Sequence, residues 1–396
     1  MHVAAVVAGF DPQSGGGYTF EREILGALKA AAASSSHHFT VLCSPAAKTA
    51  LSDMFAGTGI GVEAVPRTSG RIARMLFREL EVVRAHWRKP SEIDRIACRL
   101  GVQFVWFLSA QPDRTDIPYM TVVWDLQHRA TPWFPEMSAN GVWDSRDAVH
   151  RWFLQRASKV VTGTKVGAAQ ISEFFQVPPD NILKLPHPTP SYALGASVPE
   201  GHAETMPRLG LKGPFVLYPA QFWPHKNHVN LLLAIAKLKR EGLTVSVALP
   251  GSDKGNRAFV RDVAAREGIS ELIHPLGFVE RDDLIALYRH ALALTYVSWC
   301  GPENLPPLEA FALGCPVLAS HIPGAEEQFS DSVLFCEPGN PSSIAEGIRK
   351  LHGDADLRKR LVEAGHVRAK QFVSADYVAG VMAYLDEFEA VRRCWP

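Results

Sequence analysis

The chain has no paired-cysteine signature. Its six cysteines, Cys43, Cys98, Cys300, Cys315, Cys336 and Cys394, form no CxxC pair and show no histidine-interleaved spacing. They carry the pattern of neither a zinc site nor a disulfide framework, and read as reduced thiols of a cytoplasmic protein. No apolar run is long enough to cross a bilayer. The opening residues, MHVAAVVAGFDPQSGGG, lack the basic flank of a signal peptide and read as a first buried strand. Neither sign of charge dominates: 41 Lys and Arg stand against 41 Asp and Glu, so no overall field favours nucleic acid or an acidic partner. GxGxxG and GxxxxGK[ST] are both missing, which argues against a nicotinamide enzyme and a P-loop. No carboxylate pair of DxD type stands at a strand end, so the sequence offers no metal site.

What is present is alternation. At 396 residues the chain exceeds what one core usually supports. In the first half HVAAVVA, HFTVLCS, VQFVWFL, YMTVVW and KVVTG are short apolar runs. In the second half FVLYPA, TVSVALPG, LIHPLG, ALALTYV and CPVLAS repeat the style. Longer amphipathic stretches, such as 18–33 and 145–157, lie between them. This pattern predicts βαβ units and an α/β fold of two doubly wound parallel sheets. Residues 186–214 are rich in Pro, Gly and polar side chains and read as the connection. The expected division is 1–190, a linker at 191–213, a second domain at 214–372, and a closing helix at 373–396 that packs back on the first domain. Ligands of such sheets sit beyond the carboxyl ends of the strands, so residues just after strands are the candidates.

ALALTYVSWC is one such strand, and GPENLPPLEAFALG is the turn and helix after it. Asn304 is placed to cap, Pro306 and Pro307 sit where missing amides cost nothing, and Gly314 suits the far end. Free amides at Asn304–Leu305 would attract a diphosphate. Glu309, in the first turns, either serves its own helix dipole or accepts both hydroxyls of a ribose. Gly15, Gly16 and Gly17 follow the first strand, as a plain turn or as backbone that a ligand approaches closely.

These residues carry a family resemblance. ENLPPLEAFALGCPVLASHIPGAEEQ resembles the nucleotide-sugar motif of the GT4-type retaining glycosyltransferases, the group 1 glycosyl transferases of GT-B fold. YPAQFWPHKNHVNLLLA resembles their donor-phosphate segment, and LGFVERDDLIALYRHA their base-contacting loop. The three occur in the family's order over 215–340; the resemblance of SGGGYTFEREIL and VVWDLQHRATPWF is weaker. It implies a GT-B fold, with two Rossmann-like domains facing across a cleft. The implied donor is a GDP- or UDP-sugar, GDP-mannose among them, with no obligatory cofactor and no metal. The implied acceptor is a saccharide or lipid-linked saccharide of envelope polysaccharide or glycolipid synthesis. Lys226 would be the main cation on the leaving diphosphate, with His225 and His228 adding to it or serving structure. Glu309 matches the second glutamate of the family pair. The first falls on Gly301, a departure shared by some subfamilies, with Glu303 close but out of register. Gln221 stands where an Arg is usual. Gly16, Gly17, Gln221, Glu303, Asn304 and Leu305 would line the donor site. Gly277, Phe278 and Val279 would hold the base. Trp124 and Asp125 align with the family's His-Asp pair on the sugar or acceptor side, with His128 four positions on reaching the cleft or packing its loop. Catalysis would rest on Lys226, Glu309 and Asp125. The rival readings are a nucleotide-sugar-binding protein without turnover and a GT-B-like epimerase or phosphorylase.

Residues 67–99 hold nine basic and four acidic side chains. Ile72, Met75, Leu76, Leu80, Val83 and Trp87 recur at helical spacing. This is either a solvated helix face or a peripheral contact with anionic membrane at its inner face.

Overall fold

The computed structural model describes residues 1–7, 9–12, 15–66, 90–109, 114–197 and 202–395. Seven strands of the first half form one parallel sheet in the order β3-β2-β1-β4-β5-β6-β7. They are β1 (His2–Val6), β2 (His38–Cys43), β3 (Gly61–Ala64), β4 (Phe104–Phe107), β5 (Tyr119–Val122), β6 (Lys159–Thr162) and β7 (Ile182–Lys184). Six strands of the second half form another in the order β10-β9-β8-β11-β12-β13. These are β8 (Phe215–Leu217), β9 (Ser246–Pro250), β10 (Ile273–Gly277), β11 (Ala293–Tyr296), β12 (Val317–Ser320) and β13 (Leu334–Cys336). All pairings are parallel. The central strands are near-continuous Val, Leu, Phe and Ala because helices cover both faces of each sheet. The expected fold class, two Rossmann-like parallel-sheet units, is the one observed.

In both sheets the strand order turns back beside the first strand: between β1 and β4, and between β8 and β11. The loops leaving the carboxyl ends of such neighbours diverge and open a crevice. In the second unit those loops carry Gln221 to Lys226, after β8, and Val297 to Asn304, after β11. A backbone bond from Trp299 N–H to the His225 carbonyl, 2.9 Å, ties one to the other.

The closing helix, Ser374–Arg392, lies in the core of the first unit. Its Tyr377, Val378, Val381 and Leu385 share a cluster with Phe20, Ile24 and Leu28 of the helix Gly16–Ala31 and with Phe104 of β4. Of the basic stretch 67–99, residues 67–89 lie outside the described residues. The helix Glu92–Leu100 follows, opened by Ser91 and Asp94 in a reciprocal capping box.

Candidate active site

Lys226 is held by its neighbours on the β8 loop. Asn227 takes a left-handed backbone, φ 60°, which asparagine tolerates, and this turns the chain from a short 3-10 turn into the helix His228–Arg240. The buried Asn227 amide donates to the carbonyls of Val297, 2.9 Å, and Pro338, 2.7 Å, pinning the β8 loop to the end of β11. Tyr218 donates its hydroxyl to the Lys226 carbonyl at 2.5 Å. The Lys226 ammonium donates to Tyr296 Oη at 2.9 Å, and Tyr296 donates to Asn304 Oδ1 at 2.8 Å. Burial alone would lower the Lys226 pKa, but Tyr296 outweighs it and the ammonium stays above its ordinary range. Among the described residues this half-buried cation forms no ion pair. An anionic ligand is the partner its chemistry calls for.

The helix Leu305–Leu313 begins beside this chain of hydroxyls. Asn304 occupies the cap position, but its side chain does not cap. Its Oδ1 is taken by Tyr296, and its Nδ2 donates to the Gly301 carbonyl at 2.8 Å. The capping role expected of it is thus replaced by a bracing one. Gly314 closes the helix as expected, with φ 75°. Leu305 faces the first unit: its Cδ1 lies 3.7 Å from where a Cβ on Gly16 would stand. Gln221 Nε2 lies 3.7 Å from the same point on Gly15. The glycine run after β1 therefore meets both of these loops of the second unit. Gly17 instead packs within its own unit, where an added Cβ would sit 3.3 Å from the Trp124 ring.

Glu309 is buried, and both hydrogen-bond donors on it are phenols. Tyr288 donates to Oε2 at 2.7 Å, and Tyr192, from the interdomain connection, supplies the other. Burial pushes the Glu309 carboxyl above its usual range, against the pull of these two hydroxyls. Glu303 points elsewhere. Its Oε1 accepts from the His187 N–H at 2.7 Å, and the Gly163 N–H also bonds it, so the carboxylate is lodged in the first unit. The donor-lining role expected of Glu303 is not where the structure puts it: the side chain bolts the two units together. Burial raises its pKa as well.

For three histidines the structure favours the packing or structural reading over the cleft one. His128 is fully buried, stacked on His150 with centroids 5.2 Å apart and beside Phe175 at 6.2 Å. It packs the core behind the loop and does not reach the cleft; burial takes its pKa down to about 4. His228 stacks on Phe222 at 4.6 Å, and burial and then the Lys226 charge take it to about 3. The same two causes take His225 to about 4. Both are neutral at pH 7 and add no positive charge to that of Lys226.

His225 instead joins the units. Glu136, after β5 in the first unit, accepts from its backbone N–H at 2.9 Å and meets its Nδ1 at 2.5 Å. Thr131 of the same loop hydrogen-bonds the Cys300 thiol, which burial pushes up to about 11. Asp125 accepts from Arg146 at 2.9 Å and from the Gln127 N–H at 3.0 Å. Burial would raise the Asp125 pKa, but these donors hold it below the ordinary carboxylate range. Gly277 lies at the end of the edge strand β10 and accepts from Gly251 N–H at 2.7 Å; Phe278 beside it is 66% exposed. Among the described residues no cluster of three or more His, Cys, Asp or Glu is placed to hold a metal ion. No helix among them is long and apolar enough to cross a membrane.

Sequence reading missed Tyr296, Tyr288, Tyr192, Glu136, Thr131 and Arg146. Only Tyr296 carried a signal, as the polar tip of a strand end.

Residues 204–368 match the profile of the family described as Glycosyl transferases group 1. The match falls within the second unit, which is similar to a group 1 glycosyl transferase domain. Among curated relatives, the O-antigen chain mannosyltransferase B of Escherichia coli is 29% identical over 232 residues, 55% of this chain and 58% of the relative. A D-inositol 3-phosphate glycosyltransferase of Acidothermus cellulolyticus is 27% identical over 249 residues, 60% of this chain and 55% of the relative. The match thus spans little more than half of each. Solved structures align along nearly the whole chain. Sucrose-phosphate synthase from Thermosynechococcus elongatus has a TM-score of 0.73 at 16% identity, covering 98% of this chain and 100% of the other. The Anabaena protein HepE in complex with UDP and glucose has a TM-score of 0.73 at 15% identity, with the same coverage. At such identities the likeness is one of fold, and the fold is GT-B. The group 1 domain and its glycosyltransferase relatives agree with the family expectation at that level.

Proposed function

We propose that the chain is a glycosyltransferase that takes a hexose from a nucleoside-diphosphate sugar and passes it, with retention at the anomeric carbon, to a saccharide acceptor. The observation that carries this reading is Lys226: a half-buried ammonium without an ion-pair partner among the described residues, at the strand-order reversal of the unit that resembles a group 1 domain, beside the start of the helix Leu305–Leu313. As the bond to the leaving diphosphate breaks, negative charge grows on the phosphate oxygens. Lys226 and the Leu305 amide stabilise that charge without reorganising, the Asn304 N–H being taken by Gln328 Oε1 at 3.0 Å. Gly15 and Gly16 bring backbone from the other unit to the same place. A carboxylate has about four lone-pair sites. Two tyrosines on Glu309 leave two for the ribose diol. Gly277, Phe278 and Val279 hold the base, with Phe278 as its stacking face. Asp125, ionised beside Arg146, orients the acceptor hydroxyl, and Trp124 flanks it. The leaving phosphate takes the proton. Mannose from GDP-mannose is the donor this reading favours, supported by the relative named as a mannosyltransferase. A lipid-linked acceptor would be approached through the basic stretch 67–99 at an anionic membrane.

The test is a thermal-shift panel of GDP, UDP and ADP with their sugars, followed by a transfer assay on the nucleotide that binds. A ligand at a hundred times its Kd stabilises the folded chain by about 2.7 kcal/mol. One nucleoside diphosphate should raise Tm and lose that effect in Lys226→Ala. A flat panel overturns the reading.

A further inference from the structure

The helix Gly16–Ala31 of the first unit and the helix Leu305–Leu313 of the second are joined at two places. At one, Leu305 rests against Gly16 directly. The other runs through the interdomain connection. Glu23 stands about two turns beyond Gly16 on its helix. Its buried carboxylate accepts twice from Ser191: the backbone N–H reaches Oε2 at 2.9 Å, and the hydroxyl reaches Oε1 at 3.0 Å. Tyr192, the next residue, donates its hydroxyl to Glu309, which lies about one turn beyond Leu305. A continuous path of hydrogen-bonded residues therefore leads from the glycine-run helix to the buried carboxylate of Glu309.

The second unit holds its end of this path. Arg281 lies over the Tyr192 ring, 5.0 Å from the centroid. The same helix, Arg281–His290, carries Tyr288, which donates to Glu309 Oε2 at 2.7 Å. Tyr288 alone would leave the carboxylate free to turn about its last torsion, which is a soft one. A second donor fixes its plane, and with it the direction of the lone pairs that remain. That second donor is Tyr192, and the residue before it is fastened to the first unit. The two carboxylates also sense each other: burial chiefly, and to a lesser degree the Glu23 charge, push the Glu309 carboxyl up, while the two phenols hold it down.

We propose that Glu23, Ser191 and Tyr192 are positioning residues, a strut that sets the plane of the Glu309 carboxylate for the ribose diol while the first unit is seated on the second. The proposal rests on the transferase reading above and deepens it, because it makes ribose recognition a property of both units. The three residues act through Glu309 and not on the nucleotide itself. Contacts to the base and the diphosphate do not pass along this path, so the strut bears on the ribose hydroxyls alone. Linkage makes the effect reciprocal: hydrogen bonds from the diol to Glu309 also favour the seated first unit.

The test titrates the full chain with GDP, UDP and ADP and with the 2′-deoxy form of whichever raises its Tm. Wild type should bind the ribonucleotide about tenfold tighter than the deoxy form, the size of one hydrogen bond to a charged group. Tyr192→Phe keeps a ring beneath Arg281, and should bring the two affinities within about threefold by weakening the ribonucleotide and sparing the deoxy form. Ser191→Ala and Glu23→Gln should lower the ratio in the same direction, and Ser191→Thr, which retains the hydroxyl, should restore it. The double variant Glu23→Gln, Tyr192→Phe should show the ratio of Tyr192→Phe alone, since one path is then cut twice. A wild-type ratio in both Tyr192→Phe and Ser191→Ala, whatever their Tm, reduces these residues to packing and overturns the strut while the transferase reading stands. Fully additive effects in the double variant overturn it as well. Equal affinity of wild type for the ribo and deoxy forms overturns the ribose role of Glu309 and the strut with it. Failure of every nucleotide to raise Tm overturns the transferase reading, on which the strut rests.

Discussion

A Cβ on Gly163 would stand 1.8 Å from Oε1 of Glu303, so the two residues fit together only because position 163 has no side chain. The carboxylate of one unit thus rests directly on the backbone of the other, where the His187 N–H and the Gly163 N–H receive it. Gly163→Ala expels a buried, hydrogen-bonded charge. The expected loss is about 3 kcal/mol, read as a lower denaturant midpoint. Wild-type stability in this variant would show that Glu303 is not a bolt.

The pH dependence of stability tests the same contact. The Glu303 pKa is raised in the folded chain, so the folded state binds its proton more tightly than the unfolded state. Its contribution is present in full below the ordinary glutamate range of about 4.3 and is lost as pH rises through the raised value. Glu303→Gln removes this titration. The Tm of the variant minus that of wild type should therefore be largest at pH 7–8 and shrink as pH falls toward 5. A difference that does not change with pH contradicts the burial account.

Lys226→Ala should weaken the nucleoside diphosphate by roughly 1.5–3 kcal/mol, that is about tenfold to a hundredfold. Lys226→Arg retains the charge but not the fit beneath Tyr296, and should recover only part of the affinity. Isothermal titration with the free nucleotide measures both. Equal affinity in wild type and Lys226→Ala removes the cation from the donor site.

Tyr288→Phe takes a 2.7 Å hydrogen bond from the buried Glu309 carboxylate. The carboxyl pKa should rise further, because burial is then less opposed. Donor affinity in the variant should fall earlier than in wild type as pH is lowered, since a protonated Glu309 no longer accepts from a diol. Affinity measured from pH 8 to pH 5 checks this. Parallel profiles would separate Glu309 from the ribose.

For the stretch 67–99, co-sedimentation with anionic vesicles at low salt should be lost at high salt and reduced in the triple variant Arg71→Ser, Arg74→Ser, Arg78→Ser. Each basic residue near such a surface contributes about 1 kcal/mol. Recovery of wild type in the supernatant at low salt assigns these residues to a solvated face.

The sequence made ten of the thirteen strands among the described residues legible. The three it did not show, β3, β7 and β13, are edge strands of three or four residues, with too little apolar repetition to rise above a loop. The placement of Lys226, Glu309 and Gly314 was legible because they follow strands within one unit at fixed spacing, and they lie on the elements expected. What was hidden came from across the cleft or from the far side of a helix. Nothing near Glu136 announces a partner 89 residues away, and nothing near Tyr192 announces Glu309. Spacing likewise says nothing of charge state, so the sequence left His225 and His228 between adding charge and serving structure, and burial and then the Lys226 charge decide for neutral rings.

Because the helix Ser374–Arg392 completes the core around Phe20 and Phe104, the first unit cannot finish folding until the whole second unit has been synthesised. Its sheet must wait on the ribosome with an uncovered apolar face while some two hundred further residues emerge. A separately expressed first half would keep that face, and should need the closing helix added in trans before it dissolves as a monomer. The units of this protein are two in space but interleaved in time.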